Sequence, residues 1–271
     1  MAQVSSAAKV RPPAVAGSFY PAAAARLQAD VTALLAAVPD EEAGAAAAPA
    51  IKALVAPHAG YIYSGPVAAH AFARLRHATV PFRRVVVIGP AHYVPVRGIA
   101  VPRADRFATP LGEVALDREA LAAIGDLACV IASDTPHAPE HALEVELPFL
   151  QTVLKSFTLV PLLVGDAAPL EVAEILGRLW EGSLVVVSSD LSHYLDHAAA
   201  RRRDAATAAA IERGDWAALG ADDACGYLPL AGLLVEAERQ GLRAERLALC
   251  NSGDTAGPRD RVVGYGAWMF R

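Results

Sequence analysis

The 271-residue sequence has few cysteines, few aromatic residues and no long apolar run without charges. Three cysteines are too few for a disulfide framework, and an odd number cannot all be paired within the chain. Reduced thiols are therefore expected, one of which could act as a ligand or nucleophile. No apolar stretch reaches about 18 residues, and the N-terminus has no apolar signal core. The sequence therefore predicts no membrane span, no secretory signal and a cytoplasmic location.

An excess of positive charge is also lacking. The chain carries 24 Lys and Arg against 29 Asp and Glu, a formal net charge of −5. Such a chain provides no basic field, so nucleic acid and anionic membranes are not expected partners. Hydrophobic residues make up 54% and charged residues 20%, which is typical of a globular protein with a substantial core.

Short apolar runs rich in β-branched residues alternate with amphipathic stretches along most of the chain. The runs predict strands over 51–56, 84–89, 157–164 and 183–188, and the amphipathic stretches predict helices over 67–76, 143–155, 170–180 and 199–213. Two further strands are predicted over 242–250 and 261–270, and a surface loop over 38–50. Continuous apolar strands alternating with helices indicate a mainly parallel sheet flanked by helices. With no repeat or long linker, residues 1–271 are predicted to form a single α/β domain.

Polar residues follow three of the predicted strands. The first strand exits into His58, the second into His92, and strand 183–188 into Asp190 and His193. In open parallel sheets, ligands bind in the crevice outside the carboxyl ends of the strands, so these side chains are expected to line one site. For Asp190 the alternative is a helix N-cap, because "SSDLSH" also resembles a helix start.

Two other segments carry candidate functional groups. Cys225 precedes a helical stretch, where oriented amides favour a thiolate suited to a nucleophile or metal ligand; a buried small apolar residue is the alternative. In "EHALEVEL", a helix would put His141 and Glu144 on one face, where they could orient a ligand or provide acid–base chemistry. The alternative for that pair is an ordinary surface contact.

Six motifs, in this order along the chain, resemble those of the MEMO family, also known as protein B of the AmmeMemoRadiSam system. They are "AGSFYP" at 16–21, "APHAGYIYSG" at 56–65, "GPAHY" at 89–93, "EHALEVELPFL" at 140–150, "SSDLSHY" at 188–194 and "ACGYLPL" at 224–230. The resemblance covers essentially the whole chain. It implies a fold similar to the catalytic subunit of class III extradiol ring-cleavage dioxygenases, which are non-haem Fe(II) enzymes, and a functional association with a radical SAM protein.

By the same resemblance, His58, His92 and Cys225 match the family's metal ligands, and Asp190 and His193 match polar residues that line the same site. A thiolate replaces the carboxylate of the usual 2-His-1-carboxylate triad. The expected cofactor is a divalent metal, with Fe(II) as the first expectation and zinc or copper as alternatives. The sequence departs from some relatives at Glu146, where they carry a histidine.

The leading hypothesis is thus a metal-binding protein acting as an Fe(II)-dependent redox enzyme on a small-molecule or peptide ligand. His193 would be the general acid–base, Asp190 would orient it or hold substrate, and Tyr61 or Tyr63 would line the pocket. A metal-assisted hydrolase with His193 or Glu144 as base is one alternative. A second alternative is a non-catalytic protein that binds a partner in a vestigial cleft. A third is an enzyme with a Cys225–His193 nucleophilic pair.

Overall fold

The computed structural model describes residues 8–39, 51–77 and 82–271, so most of the loop predicted over 38–50 lies outside the described residues. The strands found there are β1 (Val10–Arg11), β2 (Ala53–Ala56), β3 (Arg84–Pro90), β4 (Ile99–Val101), β5 (Arg106–Thr109), β6 (Gly112–Ala115), β7 (Val130–Ala132), β8 (Thr158–Val164), β9 (Ser183–Ser188), β10 (His193–Leu195), β11 (Ala244–Asn251) and β12 (Val262–Phe270). The α-helices are α1 (Ala24–Ala36), α2 (Tyr61–Ala73), α3 (Arg118–Ala123), α4 (Leu147–Val153), α5 (Pro169–Leu179), α6 (His197–Arg213) and α7 (Tyr227–Arg239).

Within the described residues, nine strands form one sheet in the order β10-β12-β2-β9-β3-β8-β4-β7, with β11 paired to β12. The four central strands β2, β9, β3 and β8 pair in parallel with one another. Antiparallel pairing appears toward both edges, where β12 meets β2 and β4 meets β8. The α/β prediction is therefore confirmed, with a parallel centre inside a mixed sheet. Strands β1, β5 and β6 form a separate small sheet.

The central strands are buried because helices flank the sheet. Every residue of β2 and of β9 is buried, as continuous apolar runs predict for strands covered on both faces. Helix α7 contacts β3 and β9 and packs on α5, while α2 contacts β2 and β12 and packs on α1 and α4. No helix among the described residues is long and apolar enough to cross a membrane.

Strand register brings the carboxyl ends of β2, β3 and β9 to one edge of the sheet. Ala56 at the end of β2 pairs with Ser188 at the end of β9, and Val187 pairs with Ile88 near the end of β3. The chain leaves all three strands at this edge, so the residues that follow them converge.

The close contact between α5 and α7 depends on a glycine. A Cβ at Gly232 of α7 would lie 2.3 Å from Cγ1 and 2.4 Å from Cβ of Val172 on α5. Because that methyl group has no room, Gly232→Ala should lower the free energy of unfolding by about 1–3 kcal/mol, measured by chemical denaturation.

Gly177 of α5 provides the matched control for this prediction. A Cβ there would meet a Glu236 carboxylate oxygen at 3.4 Å, which is an ordinary contact. Gly177→Ala should leave stability unchanged or raise it by up to about 1 kcal/mol through helix propensity. Equal stabilities for the two variants would contradict the packing argument.

Candidate metal centre

Three side chains with good metal-ligand atoms meet at the carboxyl edge of the sheet. His58 follows β2, His92 follows β3, and Cys225 lies just before α7; one ligand atom from each lies within 4.8 Å of the others. Cys225 Sγ is 3.3 Å from His58 Nε2. The structure thus brings together the two histidines and the cysteine singled out in the sequence, as a candidate metal-ligand group.

Cys225 reaches this position because its turn packs tightly on the residue after β9. The Gly226 N–H donates to Ser189 Oγ at 2.9 Å, and the Cys225 N–H donates to the Asp190 carbonyl at 3.3 Å. A Cβ at Gly226 would lie 2.7 Å from Ser189 Cβ, so a glycine is required at this close approach. The "ACGY" motif therefore has a steric basis as well as a chemical one.

A carboxylate orients the His92 ring. Glu140 Oε1 lies 2.9 Å from His92 Nδ1, and Glu140 Oε2 accepts the His92 backbone N–H at 2.6 Å. Burial alone would raise the pKa of Glu140, but hydrogen bonds from His141 and His92 hold that pKa far below its usual range. An ionised Glu140 accepts the Nδ1–H of His92, which leaves Nε2 unprotonated and able to bind a metal.

A hydroxyl group takes the corresponding place beside His58. Ser188 Oγ, at the end of β9, lies 2.8 Å from His58 Nδ1. Burial lowers the pKa of His58 well below its ordinary value, and the neighbouring His141 and His92 lower it further, so the ring is neutral. A neutral imidazole is the form that binds metals.

The sequence predicts that Cys225 favours the thiolate form, whereas its surroundings in the structure favour the thiol. Burial raises the pKa of Cys225 to about 12, and the nearby Asp190 carboxylate contributes to the increase. The oriented amides near the start of α7 are therefore outweighed by desolvation, and the metal-free group is a thiol. This environment argues against the Cys225–His193 nucleophilic pair, since the thiolate is the nucleophile.

His141, Asp190 and His193 surround the three candidate ligands. The His141 ring stacks on the His92 ring at a centroid distance of 4.8 Å and meets the His58 ring edge-on at 5.2 Å. The Asp190 carboxylate accepts the His58 backbone N–H at 2.8 Å. No helix begins at Asp190, because the chain continues into β10 at His193, so the N-cap alternative is wrong.

A pocket of about 680 Å³ opens over this group. His58, His92, His141, Asp190, His193 and Cys225 all contribute to its wall. Its remaining lining includes the aromatic residues Phe19, Tyr93 and Tyr194 and the charged residues Arg203 and Asp222. Tyr93 and Tyr194 are more than half exposed, which is unusual for large aromatic side chains and is consistent with a ligand-binding rim.

Glu144 lies outside the pocket lining, contrary to the expected pairing with His141. The segment forms a turn followed by a 3₁₀ helix over Glu144–Glu146, so the two side chains do not share the face of an α-helix. Glu144 is fully buried and accepts hydrogen bonds from Arg11 and Tyr20, and from the Val15 backbone N–H at 3.0 Å. It anchors the N-terminal segment to the site.

Tyr61 and Tyr63 were expected in a loop beside the pocket, but neither is part of its lining. Helix α2 begins at Tyr61, earlier than the predicted start at residue 67, so both residues belong to its first turn. The Tyr61 hydroxyl donates to the Val145 carbonyl at 2.7 Å, and Tyr63 packs against the core. Both contacts are structural.

Two groups beside the ligands could not be assigned roles from the sequence. Glu140 is 48 residues from His92, and Ser188 is 130 residues from His58, so no local spacing links either pair. The only sequence signal for either residue is its place in a motif, since Glu140 begins "EHALEVELPFL" and Ser188 begins "SSDLSHY".

His92, Glu140 and His141 form a second group of potential ligand atoms within the described residues. The Glu140 oxygens are already engaged by His92 and by the backbone N–H groups of His141 and Ala142. This carboxylate is therefore better suited to orienting His92 than to binding a metal itself.

The fold and this cluster define a class of protein: an α/β domain with a candidate metal-ligand group at the carboxyl edge of its sheet. The chain belongs to the Memo-like protein family, whose sequence model matches residues 11–269. It is 35% identical to a MEMO1 family protein of Aeropyrum pernix, over 96% of this chain and 99% of that protein. It is also 35% identical to a MEMO1 family protein of Methanopyrus kandleri, with the same coverage of 96% and 99%. An uncharacterized protein of Escherichia coli K12 has a similar fold, with a TM-score of 0.53 and 14% identity, covering 81% of this chain and 99% of that one.

The buried Arg11–Glu144 ion pair generates a stability prediction. Glu144→Gln leaves the Arg11 guanidinium buried without its counter-charge, so the free energy of unfolding should fall by about 3–5 kcal/mol in chemical denaturation. Glu174→Gln is the control, because Glu174 pairs with Arg178 at an exposed position. That variant should change stability by less than about 1 kcal/mol. Equal effects would show that Glu144 has no anchoring role.

Proposed function

We propose that this chain is a metal-dependent redox enzyme that binds Fe(II) through His58, His92 and Cys225 and acts on a small molecule in the adjoining pocket. The observation that supports this most directly is the approach of the three ligand atoms to within 4.8 Å in the wall of a pocket of about 680 Å³. A buried imidazole, a second imidazole at the pocket wall and a thiol, drawn from three separate segments, have no other evident reason to converge.

The donor set fits a metal ion. Glu140 is hydrogen-bonded to Nδ1 of His92, and Ser188 is hydrogen-bonded to Nδ1 of His58. In both rings Nε2 is therefore the nitrogen that remains to bind a metal. Imidazole and thiolate ligands suit iron, zinc and copper better than calcium or magnesium. When bound, Fe(II) would supply one-electron redox chemistry and Lewis acidity at this position.

The chain's own groups would bind substrate and move protons. Half-buried His193 lines the pocket close to Asp190, and an imidazole at the pocket wall is suited to general acid–base work. His141 offers a second imidazole and is held by its stacking on His92 and by Phe19 at 4.7 Å. Phe19 and Tyr93 provide apolar surface that would exclude water from a bound substrate.

A metal-assisted hydrolase is the second candidate, supported by the donor set itself. Histidine and cysteine are typical zinc ligands, and three protein ligands leave a position for water. His193 would then act as the base, since the buried Glu144 is bonded to Arg11 and Tyr20 and is not in the pocket. Metal identity and the need for an oxidant separate the two candidates. The cytoplasmic location and the association with a radical SAM protein stay predictions.

Elemental analysis of protein purified without oxygen tests the proposed ligands. Near-stoichiometric iron is expected in the wild type, and His58→Ala, His92→Ala and Cys225→Ser should each lose most of it, because a site with two remaining ligands binds weakly. His193→Ala is the control and should retain the metal. A folded wild type that binds neither Fe(II) nor Zn(II) would exclude both enzyme hypotheses and favour a binding protein, whereas stoichiometric zinc without iron would favour the hydrolase.

Glu140→Gln tests the role of the carboxylate behind His92. The amide keeps an acceptor for Nδ1–H but loses the negative charge behind the ring, so the metal affinity should fall about 10-fold to 100-fold in competition titrations with a chelator. Thermal unfolding of the metal-free variant checks that the fold survives. An unchanged affinity in a folded variant would show that Glu140 serves the backbone N–H groups alone.

A further inference from the structure

Three polar groups converge on the Ser188 hydroxyl beneath His58. Ser188 Oγ lies 2.8 Å from His58 Nδ1, 2.6 Å from the Ala142 carbonyl oxygen and 2.8 Å from Glu146 Oε1. His58, Ser188 and Glu146 are all buried, so water cannot replace an unsuitable contact. Each of the three distances must therefore correspond to a hydrogen bond with a proton in it.

Counting protons leaves one arrangement. A serine hydroxyl donates one hydrogen bond and accepts two. The Ala142 carbonyl can only accept, so it must receive the serine proton. His58 Nδ1 and Glu146 Oε1 must then both donate to Ser188 Oγ. Any other arrangement leaves at least one contact at hydrogen-bond distance with no proton in it, so that two lone pairs, on oxygen or on the His58 nitrogen, face each other in a buried site.

We propose that Glu146 is a neutral carboxylic acid that donates to Ser188, and that the two residues together fix His58 as the tautomer protonated on Nδ1. Glu146 and Ser188 are positioning residues, since neither faces the cluster. The consequence is that His58 Nε2, 3.3 Å from Cys225 Sγ, presents a lone pair. The significance of this lone pair for metal binding rests on the proposed function, whereas the proton arrangement does not.

The second oxygen of Glu146 supports the neutral form. Glu146 Oε2 is buried and has no hydrogen-bond partner among the described residues. An ionised carboxylate with an unpaired buried oxygen is far more costly than a neutral acid in the same place. Burial raises the pKa of Glu146 well above its ordinary value, and the nearby Asp190 adds to the increase. A hydrogen bond donated by Ser188 would lower this pKa, but in the proposed arrangement the serine proton goes to the Ala142 carbonyl.

The two histidines of the cluster thus obtain the same tautomer by different means. An ionised Glu140 accepts the Nδ1–H of His92 directly, while His58 donates to a hydroxyl whose own proton is directed away by the Ala142 carbonyl. The second arrangement adds no further negative charge next to fully buried His58. Asp190 already contributes a carboxylate there, and a further anion would cost desolvation without a counter-charge.

Two measurements on the metal-free protein test the proton arrangement. Infrared spectroscopy should show the carbonyl stretch of a protonated carboxylic acid at neutral pH, and Glu146→Gln should remove that contribution. NMR with ¹⁵N-labelled histidine should show His58 protonated on Nδ1, with the signal assigned by its loss in His58→Ala. Absence of a Glu146-dependent acid band, or a His58 ring protonated on Nε2, would overturn the proposal whether or not the protein binds metal.

Metal affinity then tests the positioning role. Glu146→Gln keeps an uncharged donor for Ser188, so it should bind Fe(II) within about 2-fold of wild type. Glu146→Leu and Ser188→Ala remove the restraint and should weaken binding about 10-fold to 100-fold. If Glu146→Gln weakened binding as much as Glu146→Leu, the carboxylate would act as an anion and the proposal would be wrong. If the wild type bound no metal while both spectroscopic results held, the proposed function would fail and the proton arrangement would stand.

Discussion

The parallel pairing of β9 with β2 on one side and β3 on the other is the constraint on which the site depends. Because all three strands run in the same direction, their carboxyl ends lie at one edge, and the residues that follow them are placed together. This pairing brings His58, His92 and Asp190 close together, and the hydrogen bond from the His58 backbone to Asp190 forms within that frame. Cys225 is added by the turn before α7, which can approach β9 because Gly226 has no side chain.

Desolvation decides what each polar group does once it is placed at this edge. One short segment contributes three buried glutamates with three different partners. Glu140 is ionised against His92, Glu144 is paired with Arg11 and Tyr20, and Glu146 contacts Ser188. All three lie within seven residues of sequence, yet one orients a ligand, one anchors the N-terminal segment and one has the contacts of a neutral acid. Only the partner differs, and each partner comes from a distant part of the chain.

The same principle explains which sequence predictions were wrong. Tyr61 and Tyr63 were assigned to the pocket because the start of α2 was placed too late, and helix boundaries are poorly marked where no N-cap side chain is present. The favoured Cys225 thiolate was inferred from a local feature, the nearby helix start. Burial, which depends on how the turn packs against β9, has the larger effect and acts in the opposite direction.

The sequence by itself determined the α/β class and the central strands, because these depend on local apolar patterning. It indicated His58 and His92 because they follow strands, and Cys225 because it precedes a helix, while their assignment as one ligand set came from the resemblance to the MEMO family. It did not determine which side chains orient those ligands. Ser188 stands 130 residues from His58, and Glu140 stands 48 residues from His92. Only the tertiary structure decided these pairings, together with the protonation of each group, because hydrogen bonding and desolvation depend on neighbours in space rather than in the sequence.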